Sequence, residues 1–212
     1  MSTDNRAVVI LGGGGHAKVL ISSLRSLNRK ILGITDPDMN VGEMILGMPV
    51  LGGDDELLKF KPSNIELVNG VGSLPGYDLR WFLIEKFEAI GFGFSSVIHP
   101  SAIIDESAIL EKGVQVMAGC VLQADVKIGR DSIINTGVII DHDSTIGSQC
   151  CISPGVTING GTTIGDNVFI GAGSIVLQGL NIAQGTIIGA GSLVLADTLP
   201  DTKYIQVRTL HN

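Results

Sequence analysis

Residues 134–152 read INTGVIIDHDSTIGSQCCI, and Ile134, Ile140, Ile146 and Ile152 fall six residues apart. The same step, carried backwards, meets Ile128, Leu122, Val116, Leu110, Ile104 and Ile98. Carried forwards, it meets Ile158, Ile164, Ile170, Val176, Ile182, Ile188 and Val194. All 17 positions are aliphatic. The residue four places after each is small or aliphatic, from Ala102 and Ala108 through to Ser192 and Thr198. An α-helix, with its period of 3.6, does not produce such a ladder, and glycine and proline are too frequent for one. A period of six is the mark of a parallel β-helix, a three-sided prism with one aliphatic side chain pointing inward from each face. Three hexads complete an 18-residue coil, so the ladder predicts about five and two-thirds coils stacked at about 4.8 Å.

The grammar changes at Ser96. Before it, strands alternate with helices. Ala7–Leu11 reads as a strand, Gly12–Gly15 as a turn and Ala17–Leu27 as a helix. Ile31–Thr35 and Pro49–Leu51 read as strands, with a helix starting at Asp54. Ile65–Val68 reads as another strand, followed by the turn Asn69-Gly70-Val71-Gly72. Leu79–Ile90 reads as a helix with Leu79, Phe82, Leu83, Phe87 and Ile90 on one face. Such alternation predicts a small parallel sheet with right-handed crossovers, half of a doubly wound fold. The expected organisation is therefore an α/β domain over 1–96, a β-helix over 97–198 and a tail over 199–212.

The bulk properties exclude several classes. A net charge of −7 argues against nucleic acid as a general partner. No run of 18 apolar residues predicts a membrane span. The start MSTDNRAVVILGGGG runs into a glycine loop instead of a cleavage site, so it does not read as a signal peptide. Cys120, Cys150 and Cys151 make no even disulfide framework, which fits a reducing cytoplasm. Cys120 and Cys150 occupy the small inward position of their hexads, so they are expected to be buried and inert.

Three segments carry a resemblance: GGGGHAKV at 12–19 and GITDPD at 33–38, together with NGVGS at 69–73. VIHPSAII at 97–104 and INTGVIIDHDSTIG at 134–147, with the hexads that follow, complete it. With these segments the chain resembles the bacterial sugar acyltransferases of the hexapeptide-repeat type, which include nucleotide-amino-sugar N-acetyltransferases and sialic acid O-acetyltransferases. The resemblance implies a left-handed β-helix, a homotrimer with active sites between subunits, and acetyl-CoA as co-substrate. The tail TKYIQVRTLHN departs from the Gly-x-Pro-Ala segment with which the family usually closes.

His142 follows the inward Ile140 by two residues, so it occupies neither buried position of its hexad and can project from a corner. Asp141 and Asp143 flank it. A carboxylate on one ring nitrogen fixes the tautomer and raises the basicity of the other, and acetyl transfer needs a base for the attacking amine or hydroxyl. The resemblance implies that His142 is that base and Asp143 its partner. One 18-residue coil above His142 stands Gly160, whose N–H is a candidate donor to the oxyanion and which is followed by Gly161. Ala172 and Ala190 are also one coil apart, at positions where the family's backbone contacts the pantetheine arm. Asn135 either orients the reacting groups or shapes a turn. Lys203 and Arg208 in the tail are candidates for the CoA phosphates, or simply solvated. His99, before Pro100, reads as a turn residue and His211 as a tail residue. The only histidines of this half that could meet at a metal are His99 and His142, too few for a zinc site of the γ-class carbonic anhydrase kind, so no metal is expected.

In the first half, Gly12, Gly14 and Ala17 match the G-x-G-x-x-[GA] fingerprint between a strand and a helix, a setting suited to a pyrophosphate. Too little chain follows for a second mononucleotide unit, so a nucleotide sugar fits better than NAD. The resemblance implies that Gly14, Gly15, His16, Asp36 and Gly70 hold the nucleotide sugar. The expected activity is N-acetylation of a nucleotide-linked 4-amino-sugar, UDP- or GDP-linked, by direct transfer. O-acetylation of a sialic acid-like sugar and a non-catalytic nucleotide-sugar-binding scaffold remain open. A nucleotidyltransferase is disfavoured by the short first half.

Overall fold

The structure, a computed structural model, describes residues 6–205. The chain divides into two compact units, Met1–Pro100 and Ser101–Asn212. No helix among the described residues is long and apolar enough to cross a membrane.

The first unit is an α/β sandwich around one sheet. Its elements are β1 (Ala7–Leu11), α1 (Gly15–Ser26), β2 (Ile31–Thr35), β3 (Met44–Ile45), β4 (Met48–Gly52), β5 (Ile65–Asn69) and α2 (Leu79–Glu88), with a 3₁₀ turn at Asp54–Lys59. The sheet order is β3-β4-β2-β1-β5. β1 is an interior strand between β2 and β5, and Val8, Val9, Ile10 and Leu11 are fully buried, as a strand covered on both faces requires. Pairing is parallel except between β3 and β4, a tight antiparallel edge that the sequence pattern does not predict. The segment expected to be a helix from Asp54 is only a 3₁₀ turn.

The buried face of α2 is rotated from the one expected: Leu83 and Phe87 are buried as the pattern predicts. Leu79, Phe82 and Ile90 are exposed, and the inward residues are Arg80, Leu83, Ile84 and Phe87. These obey the i, i+3, i+4, i+7 rule as well as the expected set does. The rotation turns Arg80 inward, where its Nη1 donates to the backbone of the 69–71 turn.

The second unit is a parallel β-helix of two-residue strands. From Ile103 to Val194 each strand pairs with the one 18 residues away, as in Val121↔Ile139 and Ile139↔Thr157. From Val116 to Val194 all fourteen inward aliphatic residues are 0–1% exposed, while Ile98, Ile104 and Leu110 at the start are half-buried. The inward hydroxyls are paired: Ser132 donates to Gly147 O (2.9 Å) and Ser174 to Gly171 O (2.7 Å). Every sixth residue from Gly113 to Gly191 has positive φ. Nine of these corners are glycine, and the others are Asp125, Asp131, Asp143, Gln149 and Asn167. Glycine and the Asp/Asn type are the residues for which this left-handed conformation is least costly.

The leading strand residues distinguish two of the faces. On one they are Ile103, Val121, Ile139, Thr157, Ile175 and Leu193, aliphatic in five positions of six. Ile103, Ile139, Ile175 and Leu193 are exposed. On the next face they are Ile109, Lys127, Thr145, Thr163 and Asn181, mostly polar.

Candidate active site

Strand Ile139–Ile140 ends at a corner made by Asp141, His142 and Asp143. Asp143 holds the left-handed position, with φ of 59°. That backbone turns its side chain onto the preceding residue, and Asp143 Oδ2 lies 2.8 Å from His142 Nδ1. The corner at 130–131 does the same with Arg130 Nε and Asp131 Oδ2, also at 2.8 Å. The pairing is therefore a consequence of an aspartate at a β-helix corner, here applied to an imidazole. With Nδ1 held by a carboxylate, Nε2 is the nitrogen left to accept a proton. Asp141 Oδ1 accepts the His142 N–H at 2.9 Å, fixing the backbone below the ring. The hydrogen bond to Asp143 raises the His142 pKa above the ordinary histidine value, and the charge of Asp141 adds to it. Both side chains of the pair are more than half exposed in the single chain.

Gly160 stands one coil away, against the ring. A Cβ built on it would fall 2.8 Å from both Cε1 and Nε2 of His142 and 3.2 Å from Nδ1. Only glycine leaves the imidazole this seat. Among the described residues the Gly160 N–H donates to no protein acceptor, although its carbonyl accepts Gly179 N–H and its neighbour Gly161 donates to His142 O. An amide with an open N–H beside an imidazole with a free Nε2 offers both an oxyanion donor and a base.

Ala172 and Ala190 are exposed and stack at a different corner, after strands Phe169–Ile170 and Ile187–Ile188. Gly171 has no room for a Cβ, which would lie 2.4 Å from Ala190 N. This edge and the His142 edge bound the same aliphatic face, one on each side. A single chain therefore does not bring Ala172 and Ala190 to His142. Asn135 shares their edge and not that of His142. Lys203 lies on a short exposed strand paired with Ile187, whereas Arg208 and His211 fall outside the described residues. Cys120 and Cys150 are fully buried, and burial pushes the Cys150 thiol up to about 12, so neither is a nucleophile. No cluster of three metal-ligating side chains occurs among the described residues.

In the first unit, Gly12 has φ of 83° and Gly14 is the N-cap of α1. Around Gly14 and Gly15 a Cβ would meet nothing within 4 Å, so the N-terminus of α1 opens on free space. His16 is half-buried at the rim, and the buried Ala17 lets the helix close on the sheet. Asp36 Oδ2 accepts the Gly13 N–H at 2.7 Å and Oδ1 accepts Asp38 N–H at 2.9 Å. Its first task is to hold the glycine loop, with lone pairs remaining for a hydroxyl. Gly70 is wedged where a Cβ would be 2.7 Å from Ile10 Cγ2 and 2.8 Å from Leu11 O. It is needed for close packing beneath the loop. The sequence reading missed Asp141 as the acceptor of the His142 N–H and Arg80 as the anchor of the 69–71 turn. The one signal for Asp141 was its place before the histidine, and the hydrophobic period hid Arg80.

The PglD N-terminal domain matches residues 7–76, and the bacterial transferase hexapeptide repeat matches 107–142, 125–160 and 161–196. No curated protein sequence matches the chain. A histidine-to-asparagine mutant of perosamine N-acetyltransferase from Caulobacter crescentus, in complex with CoA and GDP-perosamine, is 37% identical, with a TM-score of 0.88 over 97% of this chain and 96% of that one. The acetyltransferase domain of PglB from Neisseria gonorrhoeae, in complex with acetyl coenzyme A, is 30% identical, with a TM-score of 0.87 over 95% and 97%. WeeI from Acinetobacter baumannii shares the fold at 20% identity, with a TM-score of 0.82 over 94% of each chain. With its half-Rossmann α/β unit followed by a left-handed parallel β-helix, the chain belongs to the hexapeptide-repeat family of bacterial sugar acetyltransferases.

Proposed function

We propose that the protein is an acetyl-CoA-dependent N-acetyltransferase that acts on the amino group of a nucleotide-linked 4-amino-sugar, UDP- or GDP-linked. The observation that carries this reading is the imidazole of His142, hydrogen-bonded to Asp143 at Nδ1 and seated on Gly160. Nε2 of His142 takes a proton from the sugar amine as its nitrogen bonds to the acyl carbon of acetyl-CoA. The Gly160 N–H donates to the carbonyl oxygen while that oxygen carries negative charge. The C–S bond then breaks, and His142 returns the proton to the departing CoA thiolate. Asp143 stays ionised and keeps the imidazole in the productive tautomer. The open N-terminus of α1, with Gly14, Gly15 and His16, suits the diphosphate of the sugar nucleotide, and Asp36 and the Gly70 turn frame it. The binding of GDP-perosamine and CoA by the Caulobacter enzyme supports both substrate classes.

A homotrimer follows from the same reading. The exposed aliphatic face lies between the His142 edge and the Ala172–Ala190 edge. Three copies packed head to tail set the His142 edge of one chain beside the Ala172–Ala190 edge of the next, with acetyl-CoA in the groove. The same reading places the reaction in the cytoplasm, a reducing compartment that suits the thiols of Cys120, Cys150 and Cys151. The test is thiol release from acetyl-CoA against a panel of UDP- and GDP-linked amino-sugars, with His142→Ala as control. Turnover with one such sugar, and its loss in the variant, is expected. Turnover that survives in His142→Ala excludes this base. Failure to bind either GDP or UDP excludes the nucleotide-sugar substrate and favours O-acetylation of a free sugar.

A further inference from the structure

We infer that Arg80 is a positioning residue that turns the Val71–Gly72 peptide so that the Gly72 N–H becomes an additional donor to the diphosphate of the nucleotide sugar. The inference rests on the nucleotide-sugar reading given above. Arg80 is 1% exposed, in the first turn of α2. Its Nη1 donates to Asn69 O at 3.0 Å and to Val71 O at 2.8 Å, spanning the turn that follows β5. Asn69, itself 2% exposed, returns the contact: Nδ2 donates to Arg80 O at 2.9 Å, and Oδ1 accepts the Val71 N–H at 3.1 Å. Four hydrogen bonds thus close a ring around residues 69–71.

The ring dictates where the turn's amides point. In a trans peptide the C=O and N–H are antiparallel. The Asn69 carbonyl faces Arg80, and the Gly70 N–H on the other side of that peptide reaches Leu11 O at 2.7 Å. The Val71 carbonyl also faces Arg80, so the Gly72 N–H faces away from it. Among the described residues that N–H donates to no protein acceptor, and Gly72 is exposed. The turn is pressed against the glycine loop: a Cβ on Gly12 would lie 2.9 Å from Val71 Cγ2, and one on Gly72 would lie 3.9 Å from His16 Cβ. The open amide of Gly72 therefore borders the same space as Gly14, Gly15 and His16. A guanidinium suits this role because the two N–H bonds of its Nη1 are fixed in the guanidinium plane and reach both carbonyls, whereas an ammonium rotates on a flexible stem.

Calorimetric titration of the full chain with GDP and UDP, together with steady-state kinetics, tests the inference. Arg80→Lys keeps the charge and loses the planar nitrogen whose two N–H bonds hold both carbonyls. It is expected to weaken nucleotide binding and raise the nucleotide-sugar KM roughly tenfold, the effect of losing one charge-assisted hydrogen bond. The KM for acetyl-CoA and kcat stay at wild-type values. Asn69→Ala, which frees the Val71 N–H while leaving Arg80 in place, is expected to show the same split and serves if Arg80→Lys does not fold. Wild-type nucleotide affinity in these variants, with only a lower Tm, would make Arg80 a structural residue and overturn the inference. Wild-type protein that binds neither nucleotide overturns the underlying reading and the inference with it.

Discussion

Substituting Gly160 by alanine should separate catalysis from stability. The new Cβ would lie 2.8 Å from two atoms of the His142 ring, where an ordinary carbon contact needs about 3.5 Å or more. The ring therefore has to retreat by about 0.7 Å. Gly160 does not have positive φ, so alanine brings no backbone strain of its own. The displaced side chain is 61% exposed and can swing into solvent at little cost to folding. What it gives up is the 2.8 Å contact with Asp143 and its alignment with the Gly160 amide. Misplacement of a reacting group on this scale costs on the order of 10²-fold in rate. The expected result is kcat/KM down by about 10² with Tm changed by less than about 2 °C. Gly161→Ala is the matched control, because its φ is 66° and no atom lies within 4 Å of the added methyl. It should cost about 1–2 kcal/mol, or roughly 3–6 °C in Tm, and leave kcat within a few-fold. Thiol release from acetyl-CoA and thermal melts on the two variants decide the matter. If Gly160→Ala retains wild-type kcat/KM, the seat of the imidazole has no part in the chemistry and the proposed mechanism fails.

The raised pKa of His142 implies an acid limb in the pH profile of kcat/KM, with a midpoint above the ordinary histidine value of about 6.5 and activity rising as the ring loses its proton. Asp143→Asn removes the main cause of the shift, so the limb should move to lower pH while the plateau falls about 10–10²-fold; an unmoved limb would mean that another group titrates. Ile175→Glu places a charge in the middle of the aliphatic face and should yield a monomer by sedimentation, with β-sheet circular dichroism retained and acetyl transfer lost. A wild-type protein that sediments as a monomer would contradict the head-to-tail trimer. Ile158→Ala empties a fully buried position between two coils and should cost about 2–5 kcal/mol in denaturant unfolding, whereas a cost under about 1 kcal/mol would mean that the prism interior repacks freely.

The β-helix was legible because its code is local and repeats. Each hexad states its own inward residue, and neighbouring coils repeat the statement 18 residues away. The same arithmetic located Gly160 over His142 with no knowledge of any other part of the chain. The α/β unit was legible in its strands, where short β-branched runs leave little choice. It was misread in α2, because two hydrophobic faces compete on that helix. Counting apolar residues favours the face with Leu79, Phe82 and Ile90, all of which are exposed. The winning face contains an arginine, acceptable inside only because the carbonyls of Asn69 and Val71 await it. Those carbonyls belong to a turn ten residues away, and nothing in the helix's own periodicity announces them.

The corner code explains why the proposed acid–base pair needs so few special residues. A β-helix demands a left-handed residue once per face, and glycine or an aspartate-like residue can supply it at low cost. At two of these corners the residue is an aspartate whose carboxylate meets the preceding side chain, Asp131 on Arg130 and Asp143 on His142. Placing a histidine before such an aspartate is enough to make an oriented base, and a glycine one coil on gives the ring its seat. The code does not say which edge of another copy lies opposite. Hexads repeat alike on all three corners, so the choice of mating face rests on the outward residues alone. There the exposed aliphatic row of Ile103, Ile139, Ile175 and Leu193, against the polar neighbouring face, is the asymmetry on which the proposed trimer rests. Function in this fold thus depends on two layers of sequence: inward residues that build the prism, and outward ones that decide which of its corners becomes a site.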